Sequence, residues 1–145
     1  MKVSDIMTTA VKTAQIDTPV KEIANIMCLH KISGLPIVDE ENHILGIISE
    51  KDLLKKMFPD IATVADEGRP DFENMESQYG NLLQLQAGDL MTRAVSSVSP
   101  DMPIMKAASM MCVNQIRRIP VAENNKLLGI VSIGDVHKAI FKANF

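Results

Sequence analysis

The stretch GLPIVDEENHILGIISEKDLL, residues 34–54, decides the fold, because it holds two apolar runs, a turn between them and the start of a helix. A similar stretch, RIPVAENNKLLGIVSIGDVH, occupies residues 118–137. In the first copy, strands are predicted at Leu35–Asp39 and at Ile44–Ile48. The second strand is apolar throughout and is expected to be buried on both faces. A helix is predicted from Asp52 onward.

The repetition extends outward from these two stretches. The positions that match at a separation of 84 residues include Asp5 and Asp89, Asp17 and Asp101, Pro19 and Pro103, and Pro36 and Pro120. One residue is then lost in a turn, and the positions that match at a separation of 83 are Gly46 and Gly129, Ser49 and Ser132, and Asp52 and Asp135. We therefore divide the chain into a first repeat at 1–58, a linker at 59–86 and a second repeat at 87–145. Each repeat is predicted to run strand, helix, strand, strand, helix.

The first helix of each repeat follows a short extended segment, which lies around Val11–Thr13 in the first copy. Thr18 is a suitable N-cap and Pro19 suits the first helical position. The apolar residues of this helix cover an arc of about 200°, at 100° per residue. This arc is wider than one core face requires, so part of it is predicted to pack against another chain, as in a homodimer.

Cys28 and Cys112 lie inside these helical patterns at matching positions. They have no metal-ligand spacing, so we expect two buried, reduced thiols that act as small apolar side chains. Such thiols favour a cytoplasmic location. His30, His43 and His137 share no metal-ligand spacing either, and no metal site is predicted.

The composition excludes several classes of protein. The net charge of −3 provides no basic face for nucleic acid. No apolar stretch reaches 18 residues, so no membrane span is expected. Asp5 interrupts the position where a signal peptide would need its apolar run. With 46% apolar residues, the chain can form a core without a disulfide or a metal.

The linker is longer than an ordinary connection. We interpret it as a partly ordered acidic segment rather than a functional lid, with helix possible over 72–85. Its acidic residues are Asp60, Asp66, Glu67, Asp71, Glu73 and Glu76.

The motifs DIMT (5–8), DTP (17–19), GLPIVDE (34–40) and LGIISEKDLL (45–54) resemble the CBS domain. Two such repeats in tandem are similar to a Bateman module, here a small standalone one. The resemblance covers everything except the linker. It implies an α/β (α+β) fold of two β-α-β-β-α repeats that pack pseudo-symmetrically through their sheets, and modules of this kind commonly dimerise.

The segments GIISEKD (46–52) and GIVSIGD (129–135) carry the most informative chemistry. A serine at the helix start and an aspartate three residues later form a capping box, which stabilises the helix and needs no ligand. The same turn offers backbone N–H groups to a phosphate and a carboxylate to the two hydroxyls of a ribose. Gly46 and Gly129 remove a side chain where a flat base approaches the backbone. Spacing alone favours the capping box, whereas the family resemblance favours the ligand.

By that resemblance, two clefts between the repeats hold an adenosine-containing ligand, which is AMP, ADP, ATP or S-adenosylmethionine. The cleft at Asp135 is predicted to bind phosphorylated ligands better, since arginine forms charge-assisted bonds to phosphate. Its predicted residues are Ser132, Asp135, Arg117, Arg118 and Pro120, completed by Ile32, Ser33 and Lys12 of the other repeat. The predicted residues of the second cleft are Ser49 and Asp52, completed by Ile116, Arg117 and Ser96.

Three functions are compatible with these observations to different degrees. The favoured one is a non-catalytic regulatory module that binds an adenosyl nucleotide and signals to a partner, such as an enzyme or transporter regulated in trans. The alternative is an assembly module whose clefts bind no nucleotide. An enzyme is disfavoured, because the sequence has no nucleophile–base motif, no metal-ligand cluster and no P-loop.

Overall fold

A computed structural model of the chain describes residues 1–58 and 71–145. The first part of the predicted linker, 59–70, lies outside the described residues. Within the helical stretch predicted at 72–85 the structure has two short helices. In chain order the helices and strands are α1 (Val20–His30), β1 (Gly34–Val38), β2 (Ile44–Ser49), α2 (Glu50–Met57), α3 (Phe72–Ser77), α4 (Tyr79–Leu82), α5 (Ala87–Leu90), α6 (Ile104–Val113), β3 (Arg118–Glu123), β4 (Lys126–Ser132) and α7 (Ile133–Ala143).

Each repeat contributes one two-stranded sheet, β1 with β2 and β3 with β4. The pair β3–β4 is antiparallel, and its register runs from Arg118 opposite Ser132 to Glu123 opposite Lys126, with an irregularity after Val121. The predicted helix, strand, strand, helix order of each repeat is confirmed, and so is the mixed α and β fold class. The strand predicted before the first helix of each repeat is only a one-residue bridge.

A single-residue bridge pairs with the first strand of each sheet. Ala14 makes a parallel bridge to Ile37, and Val98 makes the matching bridge to Val121. The extended segment predicted around Val11–Thr13 therefore pairs with the sheet one residue later than its predicted end.

The chain folds into two compact units whose boundaries differ from those of the sequence repeats. One unit comprises Met1–Val11, Glu40–Ile44 and Ala94–Phe145, and the other comprises Lys12–Asp39 and the described residues of Leu45–Arg93. The segment that leads into each repeat thus belongs to the core built mainly by the other repeat.

Val3 and Ala87 show this exchange most clearly. Val3 is fully buried in the same core as Ile119 and Val131 of the second repeat. Ala87, 84 residues later, is fully buried with Ile23 of the first repeat. Both cores are aliphatic, in agreement with an aromatic content of only 3%.

The starts of α1 and α6 differ from the sequence prediction. Pro19 is the N-cap of α1, and the hydroxyl oxygen of Thr18 instead accepts a bond from the Gln15 N–H, so Thr18 is not the cap. Proline has no side-chain acceptor, and the first helical amide is satisfied by a distant carbonyl. The Val20 N–H donates to the Leu85 carbonyl at 2.8 Å, and the matching Ile104 N–H donates to that of Met1 at 3.2 Å.

The first helices bury a narrower stripe than their apolar arcs. In α1 the buried residues are Val20, Ile23, Ala24 and Met27, and in α6 they are Ile104, Ala107 and Met111. Both cysteines are exposed, so the prediction of buried thiols is wrong. The physical reason is that the core takes one stripe of each helix, and the cysteines lie beside it.

The second strand of each repeat alternates between buried and more accessible residues. The prediction that Ile44–Ile48 is buried on both faces is therefore wrong, because Leu45 and Ile47 on the second face are only half-buried. No helix in the described part of the chain is both long and apolar enough to cross a membrane.

Candidate functional site

The residues Ser49–Asp52, the Asp52 turn, form a capping box at the start of α2. The Ser49 N–H donates to Asp52 Oδ2 at 2.9 Å, and the Asp52 N–H donates to Ser49 Oγ at 3.2 Å. The Ser49 hydroxyl also donates to Asp52 Oδ2, at 3.0 Å. This local arrangement satisfies two amides that a helix start leaves without partners.

The residues Ser132–Asp135, the Asp135 turn, repeat this geometry at the start of α7. The Ser132 N–H donates to Asp135 Oδ2 at 2.9 Å, and the Asp135 N–H donates to Ser132 Oγ at 3.0 Å. Both residues are half-buried, so their outward atoms remain accessible to a ligand. The capping box expected from the spacing is confirmed in both turns, and it is compatible with a ligand on the same carboxylates.

The backbone N–H groups at these helix starts are less available than the sequence suggests. The Glu50 N–H donates to the Ser33 carbonyl at 2.8 Å, and the Ile133 N–H donates to that of Arg117 at 2.9 Å. The aspartate amide of each turn is held by its serine. Among the described residues, one backbone N–H in the first three positions of each helix has no hydrogen-bond partner. It is that of Lys51 in α2 and that of Gly134 in α7.

A side-chain contact that the sequence reasoning missed reaches the Asp52 turn. The Thr92 hydroxyl donates to Asp52 Oδ1 over 3.3 Å. Thr92 belongs to the DLMT motif that leads into the second repeat. The repetition of this threonine, as Thr8 and Thr92, is the signal that could have pointed to it.

Gly46 and Gly129 lie beneath these threonines. A Cβ on Gly46 would come within 2.7 Å of the Thr92 carbonyl oxygen, and one on Gly129 within 2.6 Å of that of Thr8. The sequence reasoning assigned this space to a ligand base. The chain itself fills it, so the two glycines are explained by the close approach of the DLMT and DIMT motifs.

Arg117 and Arg118 lie in the same unit as the Asp135 turn and are exposed. Arg118 is the first residue of β3 and faces Ser132 across the sheet. Its neighbour Ile119 is fully buried and Pro120 is buried, so the backbone that follows the arginines is anchored in the core. Both arginines lie near the start of α7, since Arg118 pairs with Ser132 and the Arg117 carbonyl accepts the Ile133 N–H.

The remaining predicted site residues divide between the two units. Lys12, Ile32 and Ser33 share a unit with the Asp52 turn, and Ile116 and Ser96 share a unit with the Asp135 turn. Ile32 and Ile116 are half-buried and the other three are exposed. The completion of each site by residues of the other repeat stays a prediction of the resemblance.

In the part of the chain that the structure describes, no three His, Cys, Asp or Glu side chains cluster in a way that could hold a metal ion. Every buried side-chain polar atom in the same residues has a hydrogen-bond partner.

Comparison with known proteins gives a consistent result along both repeats. The sequence profile of the CBS domain matches residues 3–59 and 87–142. An uncharacterised protein of Methanocaldococcus jannaschii, MJ1426, is 29% identical over 154 aligned residues, which cover 97% of this chain and 91% of that protein.

Two similar solved structures contain adenosyl compounds. The structure of CBSX2 in complex with AMP matches with a TM-score of 0.77 and 25% identity, covering 99% of this chain and 98% of that one; CBSX2 is a CBS-pair protein from Arabidopsis thaliana. The CBS domain pair of MJ0100, solved with 5′-methylthioadenosine and S-adenosyl-L-methionine, matches with a TM-score of 0.71 and 26% identity, covering 100% and 98%.

Proposed function

This chain belongs to the CBS domain family, and on that premise we propose that it is a non-catalytic regulatory module that binds an adenosine-containing nucleotide. The expected ligands are AMP, ADP, ATP and S-adenosylmethionine. The observation that carries the proposal is the Asp135 turn, where an accessible carboxylate lies in one unit with two exposed arginines. The ligands of the similar CBS-pair structures support the adenosyl class.

The chemistry of the Asp135 turn suits a ribose and a phosphate. A ribose diol donates hydrogen bonds, and an aspartate carboxylate accepts them at two oxygens. Asp135 already accepts the Ser132 N–H at Oδ2, which orients the carboxylate without using its other oxygen. Arg117 and Arg118 supply the charge-assisted bonds that phosphate favours. The Asp135 turn is therefore proposed as the preferred site for phosphorylated ligands.

A regulatory output requires that the ligand distinguish two states of the module. Binding shifts an equilibrium only by the difference in affinity for its two states. We expect the ligand to stabilise one conformation that a partner recognises, an enzyme or a transporter regulated in trans. The absence of a nucleophile–base motif from the sequence supports a binding role rather than catalysis.

A second candidate is an assembly module that uses the outer faces of α1 and α6. Leu29 and Val113 occupy matching positions there and are 69% and 78% exposed. Met105, also on α6, is 60% exposed. Exposed aliphatic side chains at repeated positions favour self-association, which a nucleotide-binding module can also have.

Calorimetry with AMP, ATP and S-adenosylmethionine tests the nucleotide proposal. Asp135→Ala should weaken AMP binding about 10- to 100-fold, because a hydrogen bond to a charged group contributes roughly 1.5–3 kcal/mol. The unfolding free energy should fall by only about 1 kcal/mol, the usual cost of a lost cap.

Asp89→Ala is the matched control. Asp89 accepts the Gln86 N–H at 2.9 Å in the same capping geometry but lies outside the proposed site. This variant should lose stability while keeping its affinity for AMP. Unchanged AMP affinity in Asp135→Ala would show that the carboxylate is only a cap. No binding of any of the three compounds, together with a concentration-dependent dimer in sedimentation, would favour the assembly module.

A further inference from the structure

Asp52 and Asp135 occupy matching positions, yet their carboxylates accept different numbers of hydrogen bonds. Asp52 accepts three, from the Ser49 N–H, the Ser49 hydroxyl and the Thr92 hydroxyl. Within residues 1–58 and 71–145, Asp135 accepts one, from the Ser132 N–H. The two turns thus differ in how many hydrogen bonds the aspartate carboxylate, the group expected to bind the ribose, already accepts.

The oxygen that faces away from the capping serine shows the difference most directly. Asp52 Oδ1 accepts the Thr92 hydroxyl, whereas Asp135 Oδ1 has no hydrogen-bond partner in the described chain. The backbones of Thr8 and Thr92 are paired in the same way. The backbone of Thr92 is bridged to Ile47, and that of Thr8 is bridged to Ile130. The difference therefore lies in the side chains of the two turns and their threonines, and not in the backbone that carries the threonines.

A carboxylate offers about four lone-pair positions to donors. Three donors leave Asp52 roughly one position, while a single donor leaves Asp135 roughly three. A ribose diol needs two. A ligand at Asp52 must consequently displace a donor that the chain provides, and a ligand at Asp135 need not.

We propose that Thr92 is a specificity-determining residue that occupies Asp52 Oδ1 and directs the nucleotide to the Asp135 turn. The inference rests on the proposed nucleotide binding and adds a cause for unequal sites that is independent of the arginines. The Thr92 bond is long at 3.3 Å and exposed, so the competition is modest. Loss of one such bond corresponds to an affinity gain of about 2- to 12-fold.

The test isolates each turn before it changes the threonine. In the Asp135→Ala protein, AMP binding reports the Asp52 turn, and Thr92→Val removes the hydroxyl while keeping a β-branched side chain. We expect calorimetry to show tighter AMP binding by about 2- to 12-fold. The matched control is Thr8→Val in the Asp52→Ala protein, where AMP affinity at the Asp135 turn should stay unchanged.

Two results would overturn the inference while leaving nucleotide binding intact. One is unchanged, weaker or still undetectable AMP binding when Thr92→Val is added to Asp135→Ala. The other is an equal gain from Thr8→Val at the Asp135 turn. Failure of the wild-type protein to bind AMP would overturn the proposed function and this inference together. The folded state of each variant is checked by its unfolding midpoint.

Discussion

The backbone of Thr92 exchanges two hydrogen bonds with the backbone of Ile47, with N···O distances of 2.8 and 2.9 Å. Thr8 and Ile130 are related in the same way, at 2.8 and 2.9 Å. Each motif that leads into one repeat is thus paired with the second strand of the other repeat. The two repeats therefore depend on each other for the pairing at one edge of each sheet.

The glycines beneath the paired threonines should not tolerate a side chain. A Cβ at Gly46 or Gly129 would lie 2.7 or 2.6 Å from a backbone carbonyl oxygen, which cannot move without breaking the pairing. We expect Gly46→Ala and Gly129→Ala each to lower the unfolding free energy by about 1–3 kcal/mol in urea denaturation. Gly80→Ala is the control, because nothing lies within 4 Å of its added Cβ. Unfolding midpoints that match the wild type would contradict the close approach.

Truncating Val3 should destabilise the core of the second repeat. Its side chain is fully buried beside Ile119 and Val131, although it belongs to the first repeat in sequence. Val3→Ala should cost about 1–3 kcal/mol from lost burial and the cavity left behind. Ser4→Ala, at the exposed neighbouring position, should leave the stability unchanged in the same thermal or urea unfolding experiment. Equal stability of the two variants would argue against the exchanged core.

Neutralising Arg118 should affect phosphorylated ligands selectively. Arg118→Gln removes a charge opposite Ser132, so AMP affinity should fall roughly 10-fold while that for 5′-methylthioadenosine, which has no phosphate, changes little. Lys126→Gln makes the same charge change at the far end of the β3–β4 pair and should alter neither affinity. An equal loss for both ligands would mean that Arg118 supports the fold of the site and does not bind the phosphate.

The exposed cysteines should react in the native protein. The chain has two cysteines, both free and exposed, so a thiol reagent should label two groups per chain at low protein concentration without denaturant. Cys28→Ser should remove one of the two. Labelling that requires unfolding would contradict their exposure, and labelling that slows as the protein concentration rises would support self-association through α1 and α6.

The sequence correctly predicted the features that depend on residues close together along the chain. The capping boxes at Ser49–Asp52 and Ser132–Asp135 join residues three apart, and local helix geometry is sufficient to form them. The β-α-β-β-α order follows from the periodicity of apolar residues and from the turn between the strands. The motifs that resemble the CBS domain predicted the family, which is confirmed, whereas the adenosyl ligand stays a prediction.

The sequence predictions were wrong where the answer depended on which distant part of the chain packs against a residue. The cap of α1 is Pro19 and not Thr18, because the carbonyl of Leu85 supplies the partner of the first amide. Cys28 is exposed although its helix is apolar around most of its circumference, because the core covers only one stripe. Periodicity identifies an apolar face, but only packing selects the part of it that is buried.

The sequence by itself determined the repeated helices and strands and the two Ser-x-x-Asp turns, since these are set by local backbone geometry and by apolar spacing. Only the tertiary structure decided that Val3 and Ala87 enter the opposite cores and that Gly46 lies beneath Thr92. It also decided that the Thr92 hydroxyl meets Asp52, a contact between residues that are 40 positions apart. The physical reason is that such contacts form only when distant segments pack together, and spacing along the chain carries no record of that packing.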